Sequence, residues 1–173
     1  MALTDLADAL PSYASDIADS LRVLARDDAI SARRRDACLL ACATAIGEPR
    51  LLERLGDGDL DGSWREAARI AAVLLAMNSV YYRAVSSMET PQYGTMPARL
   101  GMKKLGAPPI PKTDFDLLCL SVAALFGCGT CLDAHEKELR TGGADPAVMQ
   151  AALRIAALTH ASAVALRAEK ARE

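Results

Sequence analysis

Aromatic residues are scarce, at 4% of 173 residues, and no stretch alternates apolar and polar side chains with the period of a strand. A core short of large rings must close in another way. The 51% hydrophobic content is carried largely by alanine and leucine, and small side chains let helices approach closely. The expected fold class is therefore all-α. Net charge is slight, at -2, and basic residues bunch only at Arg33, Arg34 and Arg35, which read as the solvated start of a helix. That excludes the electrostatic footprint of a nucleic-acid binder, so neither nucleic acid nor a membrane is expected as a partner. The N-terminus lacks the cationic and apolar regions of a secretory signal. No apolar run approaches the roughly 20 residues of a membrane span, and the expected compartment is the cytoplasm. Five cysteines are too few for a disulfide scaffold at this length. A chain of this size buries roughly 70% of its unfolded surface, so neither a metal nor a disulfide is required for a core, and a single domain over 1–173 is expected.

What is present is helical periodicity. Tyr13, Ile17, Leu21 and Leu24 share one stripe near the N-terminus. Ser63 followed by Glu66 has the pattern of a capping box, and Asp145 before Pro146 reads as another helix start. Gly/Pro-rich breaks fall at 56–62, 89–97, 106–114 and 141–145. The chain also repeats itself. At an offset of 80, the stretch from Asp36 lies on that from Asp116, and Gly47 falls on Gly127. At 84 to 85, "ARIAAVLLAMNSVYYRA" lies on "LRIAALTHASAVALRA". Two similar halves are expected, about 1–90 and about 110–173, each a helix, a glycine break, a short helix and a long helix.

The halves differ in chemistry. Where the first has Glu48, Leu51 and Leu55, the second has Cys128, Cys131 and His135, within "FGCGTCLDAHEKEL". The fold does not need cysteine and histidine there, which favours a chemical explanation over packing. A structural zinc site would need a fourth ligand, and Cys38 and Cys42, in an apolar helical stretch, read better as core residues, as does Cys119. A redox dithiol fits best. Gly127 and Gly129 flank Cys128, so a helix begins there, and its N-terminal N–H groups and dipole stabilise thiolate. His135, at i+4 from Cys131, lies within about 6 Å at Cβ and can accept the thiol proton directly or through one water. The dipole nominates Cys128 as attacker and the histidine spacing nominates Cys131; these rules leave both open. An apolar helical stretch precedes the motif, which is the wrong setting for a thioredoxin. His160 is expected to be a satisfied core histidine.

The stretches "MNSVYYR" (77–83), "PIPKTDFDL" (109–117) and "GCGTCLDAHEKELRTGG" (127–143), with "ALPSYASDI" near the start and the final long helix, resemble the alkyl hydroperoxidase AhpD family of the carboxymuconolactone decarboxylase-like superfamily. The resemblance implies an all-helical, internally duplicated fold assembled as a homotrimer. It implies a disulfide reductase that regenerates an AhpC-type peroxiredoxin and has alkyl hydroperoxidase activity. No cofactor is bound; electrons come from dihydrolipoamide, as lipoyl-lysine on the acyltransferase of a 2-oxoacid dehydrogenase complex. By the same resemblance Cys131 passes through a sulfenic acid and a mixed disulfide with the partner. Cys128 is the proton donor and resolving thiol, Cys128–Cys131 is the redox disulfide, and His135 and Asp116 form the proton relay. Two departures stand out. Asp116 replaces the family's usual glutamate, and Thr130 stands where a second histidine is known within the motif; threonine does not carry a proton at neutral pH. Asp116 lies about 120° round an unbroken helix from Cys128, so any contact requires the break at Gly127; otherwise Asp116 would cap a helix opening at Phe115. Two other functions share these motifs: a non-catalytic redox sensor or binding module, and a structural zinc protein.

Overall fold

A computed structural model describes residues 2–56 and 58–170. Among them there is no β-strand. The helices are α1 (Ala2–Asp8), α2 (Ser15–Ala25), α3 (Ala32–Ile46), α4 (Pro49–Leu55), α5 (Gly62–Ser87), α6 (Gln92–Thr95), α7 (Lys103–Gly106), α8 (Lys112–Phe126), α9 (Gly129–Thr141) and α10 (Pro146–Lys170), with a 3-10 turn at Ser12–Ala14. The all-α expectation holds.

α3 and α8 pack against each other in the centre, and both also contact α5 and α10. Their middle segments, Ala37 to Ala43 and Phe115 to Ala123, are buried at every position. A helix enclosed on all sides needs apolar residues all round rather than on one stripe. Alanine and cysteine at Ala37, Cys38, Ala41, Cys42 and Cys119 keep those helices thin enough for neighbours to close in. The order of elements repeats. α3 and α8 each run 15 residues and end on a left-handed glycine, Gly47 (φ 70) and Gly127 (φ 63). Each is followed by a shorter helix and then a long one. Arg34 of α3 donates to Asp114 of α8 at 2.6 Å, joining the two N-termini.

Several local expectations are corrected. α5 opens at Gly62 with Asp61 as its cap, the carboxylate accepting from the N–H groups of Ser63 and Trp64. Ser63 is therefore inside the helix, because a full carboxylate two residues upstream out-competes its hydroxyl for those donors. Tyr13 falls in the 3-10 turn before α2 and is exposed, so it is not part of the buried stripe of Leu21 and Leu24. Of the three arginines, only Arg33 lies in solvent, over the Trp64 ring. Arg34 and Arg35 are half-buried, and Arg35 donates to the Ala25 carbonyl. His160 is on the exposed face of α10, not in the core. Pro146–Glu169 is long and apolar enough, by length and composition, to cross a membrane, against the expectation of no such run. Its alanine content accounts for both that and its close packing on α3 and α8.

The glycine at the end of α8 sets the direction of the chain into α9. Neither Gly47 nor Gly127 would bring an added Cβ within 4 Å of another atom. Gly127→Ala therefore tests conformation without clash: a destabilisation of about 1–2 kcal/mol is expected in urea unfolding, and Gly47→Ala should cost the same.

Candidate active site

Cys128 joins two helices. Its backbone N–H reaches back to the Ala123 carbonyl (3.1 Å), and Gly127 N–H to Ala124 (3.1 Å), closing α8 in a Schellman arrangement. Its Sγ accepts from the N–H of Cys131 at 3.3 Å, so the same residue caps α9. Arg83 of α5 donates to the Phe126 carbonyl at 2.7 Å, fastening the corner from outside. Held in this way, Cys128 is fully buried, whereas Cys131 in the first turn of α9 retains 6% exposure. The two sulfurs are bonded, with Cα atoms 5.3 Å apart, inside the range a disulfide spans without distortion of the backbone.

One turn beyond Cys131, the His135 ring lies against α8, its Nδ1 3.1 Å from Oδ1 of Asp116. The bend at Gly127 makes this contact possible. α8 opens at Lys112, so Asp116 is in its second turn and is not a cap for a helix at Phe115. The Lys112 ammonium contacts both Asp116 oxygens at 2.5 Å from one turn earlier. Lys112, half-exposed, thus leads through a buried carboxylate to a nearly buried imidazole. Burial works against the charge of Asp116. The hydrogen bonds from His135 and Lys112, with the Lys112 ammonium charge, outweigh it and hold the carboxyl below its ordinary 3.8. Asp116 is ionised at neutral pH. An imidazole that donates from Nδ1 to a carboxylate presents Nε2 as its base. Thr130 is exposed and has no part in this chain of contacts.

The other three cysteines are elsewhere and inert. Burial pushes the Cys42 thiol up to about 12 and raises Cys38 and Cys119 as well. All three lie in the packed centre of α3 and α8. Among the described residues no group of three or more His, Cys, Asp or Glu is placed to hold a metal ion. Titration with a thiol reagent should accordingly find no fast-reacting thiol in the oxidised native chain, one after reduction, Cys131, and all five once the reduced chain is unfolded.

Three further polar residues of α5 and α8 carry no role in the sequence reading. Lys112 resembles any surface lysine at a helix start, and its spacing of four from Asp116 is the only signal. Asn78 and Ser79, both buried, sit on the face of α5 that continues from Leu75, and the Asn78 Oδ1 has no hydrogen-bond partner. A polar pair on an otherwise apolar helix face is a sign of function, and both residues fall in the quoted "MNSVYYR".

A buried, helix-capping disulfide followed one turn later by a histidine paired with a carboxylate, in an all-helical fold with no strand among the described residues, defines a class of C-x-x-C-x-x-x-H proteins distinct from the thioredoxins. Residues 91–173 match the carboxymuconolactone decarboxylase family. Relatives extend over nearly the whole chain. A protein of Methylocella silvestris called alkyl hydroperoxide reductase AhpD is 42% identical over 97% of this chain and 96% of its own length. Proteins of the same name from Hyphomonas neptunium (42%, covering 99% and 97%) and Caulobacter vibrioides (41%, covering 99% and 96%) are similar. The chain belongs to the AhpD family.

Proposed function

We propose that this protein is an antioxidant thiol–disulfide oxidoreductase that reduces alkyl hydroperoxides and regenerates an AhpC-type peroxiredoxin with electrons from dihydrolipoyl groups. The observation that carries this reading is the bonded Cys128–Cys131 pair at the head of α9, with His135 one turn further along the same helix and paired with Asp116 of α8. Dihydrolipoyl thiolate attacks the disulfide and leaves as the lipoyl disulfide, giving two thiols here. The Cys131 thiol loses its proton through His135, and Asp116 stabilises the imidazolium that forms. The thiolate then attacks the oxidised sulfur of the peroxiredoxin, forming a mixed disulfide that Cys128 resolves. With a hydroperoxide, Cys131 displaces the alcohol and becomes a sulfenic acid, and Cys128 condenses with it to restore the disulfide and release water. Exposure supports this division of roles, since Cys131 is the more open sulfur and Cys128 is sealed.

The donor is taken to be lipoyl-lysine of a 2-oxoacid dehydrogenase acyltransferase in the reducing cytoplasm, and the working assembly a homotrimer. The test is steady-state peroxide consumption with dihydrolipoamide, with and without a peroxiredoxin. A chain that cycles only with the donor present is an enzyme; one that merely oxidises once is a sensor.

A further inference from the structure

We propose that the Ser79 hydroxyl donates a hydrogen bond to the Cys131 thiolate, and that this bond selects Cys131 over Cys128 as the ionised sulfur. The inference rests on Cys131 being the reacting sulfur.

Four buried residues carry hydroxyls in the described structure: Ser79, Ser121, Thr159 and Ser162. Three of them satisfy that hydroxyl within their own helix, donating to the carbonyls of Leu118, Ile155 and Leu158 at 2.8, 2.6 and 2.8 Å, although Ser121 also faces the Cys38 and Cys42 thiols. That back-bond is the usual arrangement for a serine or threonine inside a helix. Ser79 differs. Its Oγ is directed across from α5 to Sγ of Cys131, 4.0 Å away, and Ser79 itself is 1% exposed. A buried hydroxyl that forgoes its own backbone for a sulfur on another helix gains most when that sulfur is charged, because hydrogen bonds to ionised acceptors are about twice as strong as neutral ones.

The two sulfurs have different donors. Cys128 accepts the backbone N–H of Cys131, which no change of side chain short of proline removes. Cys131 accepts a side-chain hydroxyl, which one substitution does remove. The repeat points the same way. At the offset of 84 that sets Arg83 on Arg167, Ser79 falls on Ala163, while Cys131 falls on Leu51 at the offset of 80. The equivalent pair, Leu51 and Ala163, has neither the thiol nor the hydroxyl.

The experiment uses the full chain with Cys128→Ser, in which Cys131 is the one accessible thiol. The rate of iodoacetamide alkylation is measured against pH in this background and with Ser79→Ala, Ser79→Thr and Ser79→Val added. Removing the hydroxyl should move the midpoint of the alkylation profile upward by about one pH unit. The rate at neutral pH should fall about ten-fold, with the high-pH plateau unchanged. Threonine keeps the hydroxyl and should hold the original midpoint, while valine, of the same shape, should move with alanine. The Thr–Val pair decides the matter even if the alanine variant does not fold. Equal midpoints for threonine and valine would overturn the proposal. Its failure is separable from that of the functional reading: a Cys131→Ser chain still active with dihydrolipoamide removes the latter. A dead Cys131→Ser chain with coincident midpoints removes only the role of Ser79.

Discussion

Cys131→Ser is expected to bring dihydrolipoamide-dependent peroxide consumption to the level of the donor and peroxide alone, a loss on the order of 10^4-fold or more. A serine hydroxyl at that place has a sulfur's position without its acidity or its capacity to form a sulfenic acid or a mixed disulfide. On the proposed mechanism the surroundings cannot compensate, because the helix dipole, the Ser79 donor and the His135 base would act on whatever atom sits there, and an alkoxide is beyond their combined reach at neutral pH. Cys128→Ser should behave differently. Cys131 remains able to attack but nothing resolves the adduct, so the chain should accumulate a covalent complex with an oxidised peroxiredoxin, visible on a non-reducing gel and dispersed by dithiothreitol. If the adduct forms instead in the Cys131→Ser chain, the roles of the two sulfurs are exchanged. The fully buried position of Cys128 argues against that exchange.

The parts of this site that could be read from sequence lie on one helix. Cys128, Cys131 and His135 have fixed relative positions once α9 begins at Gly129, because the spacing of three and four residues brings them to one face. Asp116 was readable only with the added knowledge that Gly127 breaks the helix; its contact with His135 depends on the direction α9 takes afterwards, which the left-handed glycine sets. Ser79 is on α5, 52 residues before Cys131, and no local rule connects the two. Its polarity on an apolar face was visible, but its target was not. The misread cap has a similar cause. Ser63 and Glu66 have the capping-box spacing, yet Asp61 lies two residues upstream with a stronger acceptor, and the helix starts from it. His160 shows the limit of reading one residue on a long alanine-rich helix, where both faces look alike until the packing partners are known.

His135→Phe is expected to slow the turnover by roughly 10^2- to 10^4-fold, the usual contribution of a positioned general base, with the corresponding limb of the pH–rate profile lost. Asp116→Asn should fall between that variant and the unmodified chain and should displace the limb. The amide keeps the shape of the side chain but leaves Lys112 facing His135 with no negative charge between them. If both residues belong to one relay, their effects are not additive, and the double variant should be no slower than His135→Phe alone. Stability separates this from simple damage. The Asp116 carboxyl is held below 3.8 in the folded chain, so its ionic contribution is fully present above that pH. It is lost as the pH falls through the depressed value. Urea unfolding should therefore show Asp116→Asn less stable than the unmodified chain at neutral pH, by about 1–3 kcal/mol, with the gap closing in acid. A catalytic defect at neutral pH in a variant that urea unfolding shows to be still folded there belongs to proton transfer, and it should shrink together with the stability gap in acid. A pH–rate profile unchanged in both single variants would leave the dithiol without its base.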